Sequence, residues 1–189
     1  MQKVKKSMAN KQEEKRVNAI IADLYSKDIK KVSKAIKALE VHGNSNVIKA
    51  IADCLLGGVD AHNEAEMLEL LSSLKDTSVV VEMMEVVCDP IYLPIRQKLL
   101  GTIWNTKVDF SDYIDEFVEI AVQGDFMEAL ECLTIIENLE GPFMEESILE
   151  CQLHLKNYVE GNVPRDEQKS QLLSEIALKI KEFNQELMD

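Results

Sequence analysis

From Asp28 to Gly161 the sequence repeats one physical pattern four times: two stretches in which apolar residues recur at three- and four-residue intervals, divided by a short turn. That spacing gathers the apolar side chains onto one stripe of a helix. The four pairs span residues 28–58, 62–90, 90–124 and 125–161. Leu39, Leu74, Ile103 and Ile136 close the first helix of each pair at separations of 35, 29 and 33 residues, and Cys54 and Cys88, 34 apart, hold matching places in second helices. A hairpin of two amphipathic helices buries too little apolar surface alone, so it folds only by stacking on the next.

The pattern predicts helices near residues 9–25, 28–42, 45–57, 62–75, 77–88, 92–105, 111–123, 125–140, 143–160 and 165–188. Asp28, Asp125 and Asp166 stand where helix starts need a side-chain acceptor. Gly43-Asn44, Gly57-Gly58, Gly124, Gly141-Pro142 and Gly161 stand where helix ends can use positive backbone angles. The β-branched run VVVEMMEVV, Val79 to Val87, could form a strand by composition, but it would have no partner, so a buried helix is expected. With 7 Gly and 4 Pro in 189 residues, few turns are available and the elements must be long. The length suits one folded unit. It divides into a basic amino-terminal tail and first helix (1–27), stacked hairpins (28–161) and a carboxy-terminal helix (162–189).

Two stretches carry a family resemblance. DPIYLPIRQKLLGTIW, with Asp89-Pro90 and Arg96, is similar to the Asp-Pro turn and following Arg of HEAT repeats, and DIKKVSKAIKALEVHG is similar to their Ala-x-x-Leu helix. The pairs together cover residues 28–161, about 70% of the chain. The resemblance implies an all-α fold: a right-handed α-solenoid of about four antiparallel hairpins, with second helices lining the concave side. After Pro164, Leu173, Ile176, Ile180, Phe183 and Leu187 follow at spacings of 3, 4, 3 and 4, a stripe suited to capping the last hairpin. Intramolecular capping leaves a monomer; a homodimer through the same stripe is the competing reading.

Charge is distributed unevenly. Residues 1–49 hold 12 Lys/Arg against 5 Asp/Glu, whereas residues 109–160 hold 14 Asp/Glu against the single Lys156. The acidic block is not a disordered tail, because Tyr113, Ile114, Phe117, Val118, Ala121 and Val122 form a helix stripe within it. Asp112, Asp115, Glu116 and Glu119 fall on the remaining arc, the expected wet face. Asp112/Glu116 and Asp115/Glu119 are like-charged pairs one turn apart, each costing a few tenths of a kcal/mol. Stability alone does not account for that clustering. One reading is solubility, an acidic face that keeps an apolar-rich chain from aggregating, and the other is a groove that steers and holds a basic surface. The candidate binding residues are therefore the second-helix acids Glu82, Glu85, Asp115, Glu116, Glu119, Glu146 and Glu150, and the expected partner is a basic peptide or protein.

Little else carries chemistry. His42 and His62 sit at loop edges, and His154 with Glu150 and Cys151 makes at most half a metal site, so no metal and no other cofactor is expected. There is no Gly-rich phosphate loop and no Gly-x-Ser-x-Gly elbow. The four cysteines lack any Cys-x-x-Cys pair and read as reduced core thiols. Trp104 ends an apolar helix and reads as core rather than as a base-stacking platform. Lys3, Lys5, Lys6, Lys11 and Lys15 read as a solvated tail. Nucleic acid, which needs a basic face with interleaved aromatics, is not the expected partner. No apolar run is long enough for a signal peptide or a membrane span, so a cytoplasmic location is expected. A non-catalytic protein-binding scaffold is the leading expectation, and a small HEAT-like enzyme or nucleic-acid-associated factor the alternative.

Overall fold

The computed structural model describes residues 15–42, 47–161 and 166–186. Those residues are all-α, with no strand among them. Residues 15–24 form α1. There follow α2 (Ile29–His42), α3 (Val47–Gly57), α4 (Ala61–Ser72), α5 (Val79–Cys88), α6 (Arg96–Ile103), α7 (Ile114–Gln123), α8 (Phe126–Glu137), α9 (Glu145–Glu160) and α10 (Glu167–Glu186). Single 3-10 segments, Pro90–Ile95 and Ser111–Tyr113, lead into α6 and α7. The valine-rich segment is α5, with Val79, Met83, Met84, Val86 and Val87 buried.

Helices alternate between two layers. In one, α2 packs on α4, α4 on α6, α6 on α8 and α8 on α10; in the other, the closest neighbours are α3 with α5 and α7 with α9. A single core runs through the stack from Val17 to Ile180. The stripe of the acidic segment 109–123 lies inside it: Ile114, Phe117, Val118 and Ala121 are fully covered. Leu173, Ile176 and Ile180 of α10 are buried as well, and the Phe183 ring stacks on Phe143 at 4.3 Å between centroids. The carboxy-terminal stripe is thus covered by α8 and α9 of the same chain; Leu187 lies outside the described residues.

The helix starts are set by the expected aspartates. Asp28 accepts from the Lys30 amide at 2.9 Å, and Asp166 from that of Lys169 at 2.8 Å. Asp125 and Glu128 form a reciprocal capping box at the head of α8, which satisfies two otherwise orphaned amides. Asp60, which the sequence pattern did not single out, caps α4 through the His62 amide at 3.0 Å. The expected helix 92–105 is shortened because Pro94 cannot donate to an α-helical ladder, leaving a 3-10 segment before Arg96.

Three expectations fail locally. Trp104 is 43% exposed, at the end of α6, with its indole Nε1 donating to Glu131 Oε2 at 3.2 Å. Cys88 is exposed at the last turn of α5, whereas Cys54, Cys132 and Cys151 are buried, and all four are free thiols. Gly124 and Gly161 have negative φ; only Gly58 and Gly141 use the left-handed region among the described residues. Gly124 is required for space instead, since an added Cβ would overlap the Glu128 carboxylate and come within 2.8 Å of the Ile120 carbonyl oxygen. Gly43 and Asn44, like Lys3, Lys5, Lys6 and Lys11, lie outside the described residues, while Lys15 is exposed.

Candidate functional site

The two layers treat their acids differently. In the first layer each hairpin answers the carboxylates of its neighbour. Ser33 Oγ donates to Glu66 Oε1 at 3.0 Å with Lys37 Nζ 3.6 Å from the same oxygen, and Lys98 Nζ donates to Glu64 at 2.7 Å. Arg96 donates through Nε to Glu128 Oε1 at 2.6 Å and through Nη2 to Oε2 at 3.0 Å. Gln97 and Trp104 both donate to Glu131. Arg96 and Glu128 are each only 11% exposed, so this is a buried, doubly hydrogen-bonded ion pair. At the end of the layer Lys169 Nζ donates to the carbonyls of Val122 and Gly124 at 2.7 and 2.6 Å, over the Tyr158 ring at 5.6 Å. Burial holds the Lys169 ammonium below its usual pKa despite the nearby Asp125, Glu128 and Asp166.

The second-layer acids run from α5 to α9. Glu82 on α5 accepts from the Lys49 main-chain amide at 3.2 Å, at the head of α3. Burial raises its pKa, and neighbouring Glu85, which is exposed, adds to that. Both line a cleft of about 420 Å3 with Lys49, Asp89 and Tyr92. Lys49 Nζ donates to Tyr92 Oη at 2.6 Å, and Tyr92 in turn donates to Asp53 at 2.6 Å. This bridge ties the third hairpin to the first, and it was not foreseen because its members are about 40 residues apart.

On α7, Asp112 is exposed, as expected of a wet face, but Asp115, Glu116 and Glu119 are half-buried. Glu116 Oε2 is fully covered and accepts no hydrogen bond among the described residues. Burial raises the Glu116 pKa; its own main-chain amide works against the rise, and Asp115 and Glu119 add to it. Glu119 accepts from Gln123 at 2.8 Å. The same acids mark how closely the helices approach. Burial lifts the Cys88 thiol, with Glu116 and Glu119 contributing, and lifts the Cys151 thiol to about 12, with Asp115, Glu116 and Glu150 contributing. Tyr113 is raised by burial, then by Glu116, Asp112 and Glu85. The fold thus brings together Glu85, Asp115, Glu116, Glu119 and Glu150, with Glu82 one turn before Glu85 and the exposed Glu146 one turn before Glu150. Among the described residues none of Glu85, Asp115, Glu116, Glu119, Glu146 or Glu150 makes an ion pair with Lys or Arg.

The described residues hold no group of three or more His, Cys, Asp or Glu arranged to bind a metal ion, and no helix among them is long and apolar enough to cross a membrane. His62 Nε2 lies 3.7 Å from Glu66, and His154 is half-buried on α9. No protein-family model, no curated protein and no solved structure matches this chain, so the reading of the site rests on its own geometry.

Proposed function

We propose that this chain is a non-catalytic protein-binding module, a HEAT-like α-solenoid whose acidic second-helix layer holds a basic peptide or protein surface. The observation that carries the reading is the asymmetry between the layers. First-layer Glu64, Glu66, Glu128 and Glu131 are matched by donors from the adjacent hairpin, while the candidate second-layer acids pair with no cation among the described residues although Asp115, Glu116 and Glu119 are half-buried. Half-buried like charges raise the energy of the folded state. A cationic partner removes that cost on binding and is steered to the surface by the same field. The module acts as a cytoplasmic monomer in this reading.

The test is stopped-flow association with a fluorescein-labelled peptide rich in Lys and Arg. Replacing Asp115 with Asn and Glu116 and Glu119 with Gln slows association and flattens its salt dependence, with helical circular dichroism unchanged. Equal association rates at low salt for the parent and the triple variant refute the proposal.

A further inference from the structure

The last helix of the second layer carries an apolar feature as well as acids. Leu149 and Leu153 of α9 are 53% and 47% exposed, one helical turn apart. At about 100° per residue, Glu146 and Glu150 border them on one side, and Glu145, Gln152 and the exposed Lys156 on the other. Ile148 and Cys151 hold α9 to its neighbours from the opposite arc. Scattered exposed leucines are ordinary, but two in register on one face, edged by unpaired acids, form an anchor with a charged rim.

We infer that this face of α9 docks a single amphipathic helix of a partner protein: large aliphatic side chains one turn apart sit against Leu149 and Leu153, and flanking Lys or Arg reach Glu146 and Glu150. The inference rests on the acidic-surface reading and names its ligand. A helix fits because the anchors repeat with helical period, so ridges of side chains on the incoming helix seat in the grooves beside Leu149 and Leu153. An extended peptide would want a sheet edge for its main chain, and the described residues contain none. A second copy docked α9 against α9 would set Glu146 and Glu150 against themselves, which like-charge repulsion opposes.

The experiment uses the full chain and two labelled synthetic peptides of identical Leu, Lys and Arg composition. One places its leucines at i, i+4 and i+7; the other permutes them so that no stripe forms. The ordered peptide binds at least about tenfold tighter by anisotropy, a difference of about 1.4 kcal/mol. Leu149→Asp and Leu153→Asp each remove that preference although they add negative charge, Leu149→Gln with Leu153→Gln does the same without changing charge, and Ile29→Asp, exposed on α2, leaves it intact. Equal binding of the two peptides, slowed in the triple acid variant, overturns the helix inference and leaves the acidic-surface reading standing. Binding of neither peptide overturns both. Self-association of the free chain that Leu153→Asp abolishes assigns the face to a second copy and overturns the inference.

Discussion

Replacing Arg96 with Ala isolates the Glu128 carboxylate in a site where both side chains are 11% exposed. In the parent, Glu128 receives two bonds from the guanidinium, at 2.6 and 3.0 Å, and one from the Asp125 amide at 3.2 Å. The substitution removes the two charge-assisted bonds and leaves one neutral bond for a desolvated charge. Breaking a buried pair by deleting one partner costs about 3–5 kcal/mol; the surviving capping bond places this case at the low end, about 3 kcal/mol. For a chain of this size each kcal/mol shifts Tm by about 2–4 °C, so the variant melts about 6–12 °C below the parent. Glu128→Gln keeps the capping box and removes the charge, so Arg96→Ala costs far less in the Glu128→Gln background than in the parent. Urea denaturation of the cycle, followed by circular dichroism, reads the coupling directly. A loss under about 1 kcal/mol for Arg96→Ala, or the same loss with Gln at 128, contradicts the view that this pair locks the third hairpin to the fourth.

Three further outcomes follow from the geometry. Glu116 has a folded pKa raised mainly by burial, so its ionised form destabilises the chain at neutral pH, and that cost is relieved as pH falls through the folded pKa toward the unfolded value; Glu116→Gln therefore melts higher than the parent at pH 7, the gap narrows toward pH 4.5, and a gap independent of pH contradicts the assignment. Lys169→Met removes two ammonium bonds to the α7–α8 junction and costs about 2 kcal/mol, measured as earlier loss of helix in urea; an unchanged midpoint shows that Leu173, Ile176 and Ile180 alone hold α10. Under native conditions at pH 8 a thiol reagent modifies Cys88 first and at less than the rate of a free cysteine, because burial and the nearby Glu116 and Glu119 raise its pKa; mass mapping that finds Cys132 modified first contradicts the packing.

The helices were legible because periodicity reports which arc of each helix is apolar; which helices pack together was not, since the contacts run mainly between helices two apart in the chain. The caps at Asp28, Asp125 and Asp166 were legible because capping is local. Burial at the edges of a stripe was not, since it depends on the neighbour that covers it. Asp115, Glu116 and Glu119 sit on the polar arc of α7, yet α9 packs against that helix and covers part of them. Trp104 and Cys88 show the reverse: both end a helix, where the neighbouring elements leave the residue exposed, although Trp104 still donates to Glu131. Leu149 and Leu153 resemble core positions until the packing of α9 shows which arc is covered. Arg96 was marked by its resemblance to the HEAT motif, but its partner Glu128 is 32 residues away and only the stacking identifies it.

That stacking also explains why acids of similar sequence context have different fates. The first-layer hydrogen bonds made by Ser33, Arg96, Gln97 and Lys98 join residues 32 to 34 apart, while Lys37 reaches Glu66 over 29 and Trp104 reaches Glu131 over 27. Polar contacts with fixed donor–acceptor geometry tolerate less slippage than apolar side chains, so they set the register of one hairpin on the next. Between second-layer helices such a rung runs from the Lys49 amide to Glu82, 33 apart, and the Lys49–Tyr92–Asp53 bridge joins α3 to the 3-10 segment before α6; among the described residues Asp115, Glu116, Glu119, Glu146 and Glu150 form no such rung. Its acids therefore contribute field rather than register. Neutralising them leaves the stack in place, whereas neutralising Glu64, Glu66 or Glu128 removes a rung. The charge of the second layer can thus change without loss of register, while the first layer holds the hairpins in step.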